Sequence, residues 1–535
     1  MNDDLPDGRA RIPAHLLDRP WLDETLRERL KPQFTLRLRC SVDVLIVTDG
    51  ADFSFDVTYS LGRLVQAMTT DLPPYVRVNV TTARHASFPG LGVFDIPSFR
   101  FHTSDLSGFD EVWIIAVGSG SNAYLPGELT ALYEFMQSGG GVFATGNHAN
   151  LGVALCGGIP RVRSMRRWHY PSPGPHGEPV APGAVADRHE TTVGSDFDGT
   201  PQVITPQMYP LGWSHTVLFR RVAPHPVLCG RNGPVTVLPD HMHEGAIVVP
   251  PVDLSLPVDG IDVEEYQHGD GVRVSPLVIA TAVDHHAPGG AFGVIGAYDG
   301  HLVDEVPGGV GRIVVDATWH HLFGMNVEQF ASAYDAVQAG STDPLMLERA
   351  GHWQQIKDYF QNTAIWLARA STQRCVRRRG LWLVATHIDV VMALRAWRLD
   401  RGERLEYLLD VGQKAKDAFH RVAPQCQRIE LSLDLVARLR LYERLRPWPV
   451  PIPDPPPFRF AQLVDPGWVE TVALGGALVA VHEQLQGDLG RLEKDDDALA
   501  AIAADGAAAG VKILAAELGR NGQEIASLLE ERGRR

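Results

Sequence analysis

The rhythm of apolar positions changes near residue 340, and that change predicts two architectures in one chain. Residues 42–48 (VDVLIVT) are an apolar, β-branched run ending at Asp49-Gly50, the pattern of a strand buried on both faces. A helical stretch follows over 55–68, and 76–82 (VRVNVTT) alternates as a strand does. Residues 111–117 (EVWIIAV) form another buried run, closed by Gly118-Ser119-Gly120. Behind Pro126, Leu129, Leu132, Tyr133 and Met136 recur at helical spacing, Gly139-Gly140-Gly141 stops that helix, and 142–145 enters a further strand. Strand and helix alternating through short connections predict an α/β fold, a flavodoxin-like, mostly parallel sheet covered on both faces. Three more strands are expected at 277–283, 292–298 and 312–316, the first two joined by a turn at 284–290.

Residues 150–250 are dense in Pro, Gly, His and Arg and have little periodicity, so they read as a long insertion serving as a lid or a decoration. From 343 onward the spacing is helical: 345–370, 381–399, 404–422, 431–445 and 468–531. The segment 381–399 is apolar all round and is expected to be a buried helix. Residues 447–457 (PWPVPIPDPPP) predict an extended strap. The resulting division is an arm at 1–35, an α/β domain at 36–340 and an all-α domain at 341–535.

Charge changes the picture. Residues 341–535 hold 27 Lys+Arg against 26 Asp+Glu, while 1–340 hold 22 against 38. An acidic front and a neutral back argue against a nucleic-acid partner. No uninterrupted apolar run approaches the roughly 18–20 residues of a membrane span, which argues against a membrane protein. The start, MNDDLPDGRARIPAH, carries acids where a signal peptide carries bases. Five scattered cysteines (40, 156, 229, 375, 426) have neither metal-like spacing nor a disulfide framework, so a reducing cytoplasm is the expected setting. Arg377-Arg378-Arg379 reads as solvated or cap-neutralising charge at a helix junction.

Ligands of doubly wound sheets sit at the carboxyl ends of the strands. Four predicted ends carry polar groups: Asp49-Gly50, Gly118-Ser119, Gly146-Asn147-His148 and Thr318-Trp319-His320-His321. The third resembles a strand-to-helix elbow, the turn that holds a nucleophile in the open, but here it presents His148. His148 with His320 or His321 suffices for acid–base work, and with a carboxylate for a divalent Zn or Fe site. The insertion offers His169, Asp187 and His189 as further ligands. Adjacent residues of a strand face opposite ways, so one of His320 and His321 at most enters such a site. His241-x-His243-Glu244 and His285-His286 read as loop residues. Asp49, Ser119 and Asn147 are candidate binding groups, and Trp319 a flat face for a sugar, with Trp168, Tyr170 and Trp213 behind it. No Walker sequence and no correctly placed GxGxxG occurs, so no nucleotide cofactor is expected.

GGGVFATGNHANLG (139–152), FDEVWIIAV (109–117) and GRIVVDATWHHLFGMN (311–326) together resemble the class I glutamine amidotransferase-like superfamily. The closest resemblance is to its trehalose-utilisation (ThuA-like) branch, over about 40–330. It implies a carbohydrate or other small polar substrate. The chain departs where amidotransferases place Gly-x-Cys-x-Gly and a late His-Pro-Glu: it has His148, Asn150 and His320-His321-Leu322. Without a thiolate no glutamyl thioester forms, so glutamine hydrolysis is expected to be absent. Two readings remain open. One is an enzyme working through a His-lined pocket. The other is a non-catalytic scaffold that binds or self-assembles, as a homo-oligomer or with a partner protein, through the helical region.

Overall fold

The computed structural model describes residues 39–55, 58–88, 90, 92–120, 123–168, 201–210, 222–239, 244–247, 254–258, 263–269, 271–284, 291–385, 387–396, 404–422, 431, 466–485 and 496–533. The arm, the 431–445 helix apart from Leu431 and the Pro-rich strap lie outside them.

A nine-stranded sheet organises the chain. Its strands are β1 (Cys40–Thr48), β2 (Val76–His85), β3 (Ile96–Phe99), β4 (Glu111–Ile115), β5 (Gly141–Thr145), β6 (Thr205–Pro206), β7 (Leu277–Val283), β8 (Ala291–Tyr298) and β9 (Ile313–Asp316). They lie in the order β3-β2-β1-β4-β5-β9-β8-β7-β6. Six are mutually parallel from β3 through β9, and β8, β7 and β6 add antiparallel pairings. The α/β expectation therefore holds at the level of a mostly parallel sheet with a helical C-terminal region. β1 is buried through both faces as its apolar run requires: Val42, Val44 and Ile46 enter one core, Leu45 and Val47 the other. Trp113 of β4 stacks on Phe143 of β5 at 4.3 Å on the first of these faces.

Helices cover both sides. α1 (Gly62–Thr69), α5 (Gly324–Gln338) and α6 (Pro344–Leu367) pack together on one face. α2 (Glu128–Gln137) and the short α3 (Val153–Cys156) and α4 (Val162–Met165) lie in the other core. α6 starts under an Asp343 cap, whose side chain accepts from the Leu345 N–H at 2.9 Å, with Pro344 in its first turn. Its second half, 356–367, is buried all round because it crosses the sheet. Tyr359 donates to Asp316 at 2.6 Å, Gln361 to the carbonyls of Ala67 and Thr70, and Asn362 to that of Cys229. The chain past 340 thus builds one layer of the sheet domain.

The expected buried helix at 381–399 divides into α7 (Ala370–Ala385) and α8 (Ile388–Ala396). α7 therefore contains Arg377-Arg378-Arg379 in mid-helix, not at a junction. α9 (Arg404–Val422) matches its predicted span, and 468–531 resolves into α10 (Pro466–Leu485) and α11 (Asp496–Gly533). α10 lies against both α9 and α11. Its contact with α11 needs glycine, since a Cβ on Gly476 would overlap the Gly506 carbonyl.

The cysteine expectation is corrected. Cys40 at the start of β1 is disulfide-bonded to Cys375 of α7, 335 residues away in sequence. That pair was invisible to spacing, and it removes the cysteine argument for a reducing compartment. Ala498–Glu524 of α11 is also long and apolar enough, by length and composition, to cross a membrane, with 39% of its most apolar window buried in the fold. An alanine-rich stretch broken by isolated charges passes that test without any uninterrupted apolar run. Partly buried core helices share the composition.

At the N-terminal edge of the sheet, Glu111 is fully buried, and among the described residues neither carboxyl oxygen has a hydrogen-bond partner. Burial, assisted by the charge of Asp110, raises its pKa well above the ordinary 4.5. The folded state then keeps a proton that the unfolded chain releases, so stability is greatest below the unfolded value and falls as pH rises above it. Glu111→Gln is expected to flatten this fall and to raise the urea midpoint at neutral pH. Equal midpoints for the two proteins from acid to neutral pH would contradict it.

Candidate functional site

The strand order reverses between β1 and β4, because β2 and β3 lie to one side of β1 and β4 to the other. This is where a doubly wound sheet opens a crevice at its carboxyl edge. Asp49, just past β1, spans that opening. Its two oxygens accept from the backbone N–H groups of Val117 and Gly118, each at 2.7 Å. Burial raises the carboxyl's pKa overall, against the pull of those two donors. Gly118 is required here, since a Cβ would sit 2.8 Å from the Asp49 oxygen. Asp49 therefore stitches two strand ends together, with each of its oxygens already engaged by a backbone N–H. Ser119 stays exposed at the rim.

β5 runs into the turn predicted as an elbow. The Asn147 N–H donates to the Leu151 carbonyl at 3.0 Å, Ala149 adopts φ 58°, and α3 begins six residues beyond Asn147. His148 sits in this turn, half-buried. Asn147 is buried, and its side-chain oxygen accepts from the Thr318 hydroxyl at 3.2 Å. The Trp319 N–H donates to the Gly146 carbonyl at 2.7 Å. The ends of β5 and β9 are thereby brought together, as the parallel pairing of Thr145 with Asp316 requires.

Arg166 holds both ends from beneath. Its buried guanidinium donates to the carbonyls of Asn147 and Ala317, the latter at 2.7 Å, and lies 4.4 Å from the Trp168 ring. Sequence reasoning missed it. Nothing in an aperiodic segment marks which arginine will find two strand-end carbonyls.

The histidine pair does not behave as strand residues. Trp319–His321 form a 3-10 turn after β9, so the strand alternation invoked for His320 and His321 does not apply. Both are buried. His321 Nδ1 lies 2.6 Å from Asp316, its Nε2 meets Gln202, and Glu244 approaches at 4.0 Å. Asp316 also accepts from the Tyr359 hydroxyl and from the Thr318 N–H. His320 Nδ1 lies 2.8 Å from the Asn326 side-chain oxygen. Trp319 is 4% exposed, with His320, Phe323 and Tyr59 rings at 3.8, 4.9 and 5.9 Å. Its faces are occupied by core packing, so it is no platform for a sugar. Trp168 is likewise core, its indole N–H donating to the Val162 carbonyl.

Cys156 lies in α3, fully buried, with its sulfur 3.7 Å from the Thr145 carbonyl. Burial pushes its thiol well above the normal range, so no thiolate forms there. Among the described residues no three His, Cys, Asp or Glu side chains are grouped to hold a metal. His169, Asp187 and His189 lie outside the described residues, as do Tyr170, Trp213, His241, His243, His285 and His286. A further buried imidazole, His85 at the end of β2, escaped the sequence reading. It lies 3.2 Å from Glu128, which also accepts from the Phe101 and Leu125 N–H groups and so anchors the start of α2.

No protein-family model matches the chain, and no curated protein matches it.

Arg166→Ala would leave two buried carbonyls without their charged donor. It is expected to cost about 2–4 kcal/mol of stability, and Arg166→Lys, lacking the fork, to recover only part. Denaturant midpoints for the three proteins measure this, and an unchanged midpoint for Arg166→Ala would contradict the clasp.

Proposed function

We propose that this chain is a non-catalytic scaffold of the class I glutamine amidotransferase-like kind, of the ThuA-like branch. In this reading it holds a small polar molecule at the rim of the strand-end crevice and associates through its helical region with a second copy or a partner protein. One observation carries the reading: the groups that chemistry would need are committed to the fold. Both ring nitrogens of His321 are engaged by Asp316 and Gln202, His320 is held by Asn326, and Asp49 by two backbone amides. A general base needs access to the proton it removes, and these imidazoles are sealed in the core. Of the three histidines only His148 is partly exposed, with Ser119 on the same edge. Those two groups support recognition of a polar molecule better than bond cleavage.

Incubation with glutamine is expected to release ammonia at the buffer rate. A glutamine-directed electrophile is expected to leave Cys156 unlabelled in the folded protein and to label it after unfolding. Stoichiometric labelling of the native chain, accompanied by ammonia release, would return the thiol to chemistry and end this reading.

A further inference from the structure

The opposite edge of the sheet carries a cavity that neither the sequence motifs nor the resemblance points to. It encloses about 490 Å³ between His225, the loop that follows β8, Arg312 ahead of β9 and the first turns of α7. That volume is within the range of small-molecule sites. Because Ile313 pairs with Val142 at the start of β5, this is the amino edge of the parallel strands, away from the His148 turn.

Its polar lining is arranged for an anion. Three guanidiniums, Arg312, Arg374 and Arg377, face two carboxylates, Asp299 and Asp304. Asp299 is already spoken for: it lies 2.7 Å from Arg312 and accepts from the His301 N–H. Against the effect of burial, Arg312 holds its carboxyl below the ordinary value. Arg374, exposed at the mouth, makes no ion pair or hydrogen bond among the described residues. Ala370, the first residue of α7, also lines the cavity, so the N–H groups of a sixteen-residue helix contribute positive potential there.

His301 supplies an independent observation. Its Nε2 is buried and has no hydrogen-bond partner among the described residues. An orphaned buried donor or acceptor costs stability, so it is retained where something else satisfies it. Burial, joined by Arg312, lowers its pKa to about 3, so the ring is neutral and can present an N–H to an incoming oxygen. Trp366 is covered by Arg312 at 4.5 Å, and the part-exposed Leu302, Val306 and Pro307 provide an apolar wall for a carbon skeleton.

We propose that this cavity binds a small organic phosphate, its phosphoryl oxygens taken by Arg374, Arg377 and His301 and its organic part lying along Leu302, Val306 and Pro307. The inference does not depend on the scaffold reading, which concerns the other edge of the sheet.

The test is isothermal titration of the full chain with glucose 6-phosphate, glucose, inorganic phosphate and citrate, repeated on Arg374→Glu and His301→Gln. Arg374→Glu changes an exposed side chain, and an unchanged circular dichroism spectrum and melting temperature without ligand would verify its fold. Glucose 6-phosphate is expected to bind and glucose not to. Inorganic phosphate should bind more weakly, for want of the apolar wall. Charge reversal at Arg374 should weaken glucose 6-phosphate by about tenfold or more, and His301→Gln by less. Absence of binding by both phosphates, or binding untouched by Arg374→Glu, would overturn the proposal. Citrate binding as tightly as glucose 6-phosphate would overturn its assignment to phosphate.

Discussion

The carboxylate of Asp316 is the point on which the molecule turns. It ends β9 in the middle of the sheet, fully buried, where an unpaired charge would be intolerable. Three elements answer it: the hydroxyl of Tyr359 from α6, the imidazole of His321 and the N–H of Thr318. The first bond ties the helical region to the sheet. The second fixes a 3-10 turn whose Trp319 N–H then reaches the Gly146 carbonyl of the neighbouring strand end. Remove the carboxylate, and the layer of α6, the turn and the elbow lose their common reference.

This explains why the chain beyond 340 cannot be a detached appendage. A parallel sheet must be covered on both faces, and the described residues between β1 and β9 supply too few long helices for two complete layers. α6 provides the missing cover. Its buried half carries Lys357, Asp358, Gln361 and Asn362, polar residues that a solvent-facing helix would also carry. Each finds a partner on the sheet side: Lys357 with Asp71, Asp358 with the Arg231 N–H, Asn362 with the Cys229 carbonyl.

Those residues mark the limit of what the sequence reveals. Strands buried on both faces announce themselves by β-branched runs, and β7 matches its expected span, β8 starting one residue early. The elbow at 146–148 was legible because a glycine, a strand and a following turn are local signals. What was illegible is long-range. Periodicity marks a helix that is apolar on one side, so the helix expected at 345–370 was found, but the burial of its partly polar 356–367 was not, and burial was expected of the apolar 381–399. The break between α7 and α8 falls where no proline or glycine announces it. The Cys40–Cys375 pair and the Arg166 contacts join positions far apart in sequence, and residue type alone predicts neither. His320 and His321 were found, but their burial was not, because a histidine that closes a core reads the same as one that faces a pocket.

The two edges of the sheet therefore use polar residues in opposite ways. At the carboxyl edge, where doubly wound folds usually bind, Asp49, Asn147, Asp316 and His321 each find their partner within the chain. A closed set of hydrogen bonds rigidifies the strand ends and leaves little binding capacity. At the amino edge, Asp299 is satisfied by Arg312, while Arg374 and the Nε2 of His301 are left without partners among the described residues. Binding free energy comes from groups that the fold has placed but not satisfied, since a ligand then adds bonds without breaking any. On that physical ground the amino edge keeps more unsatisfied polar groups for a ligand than the carboxyl edge, where His148 and Ser119 at the rim are what the fold leaves accessible.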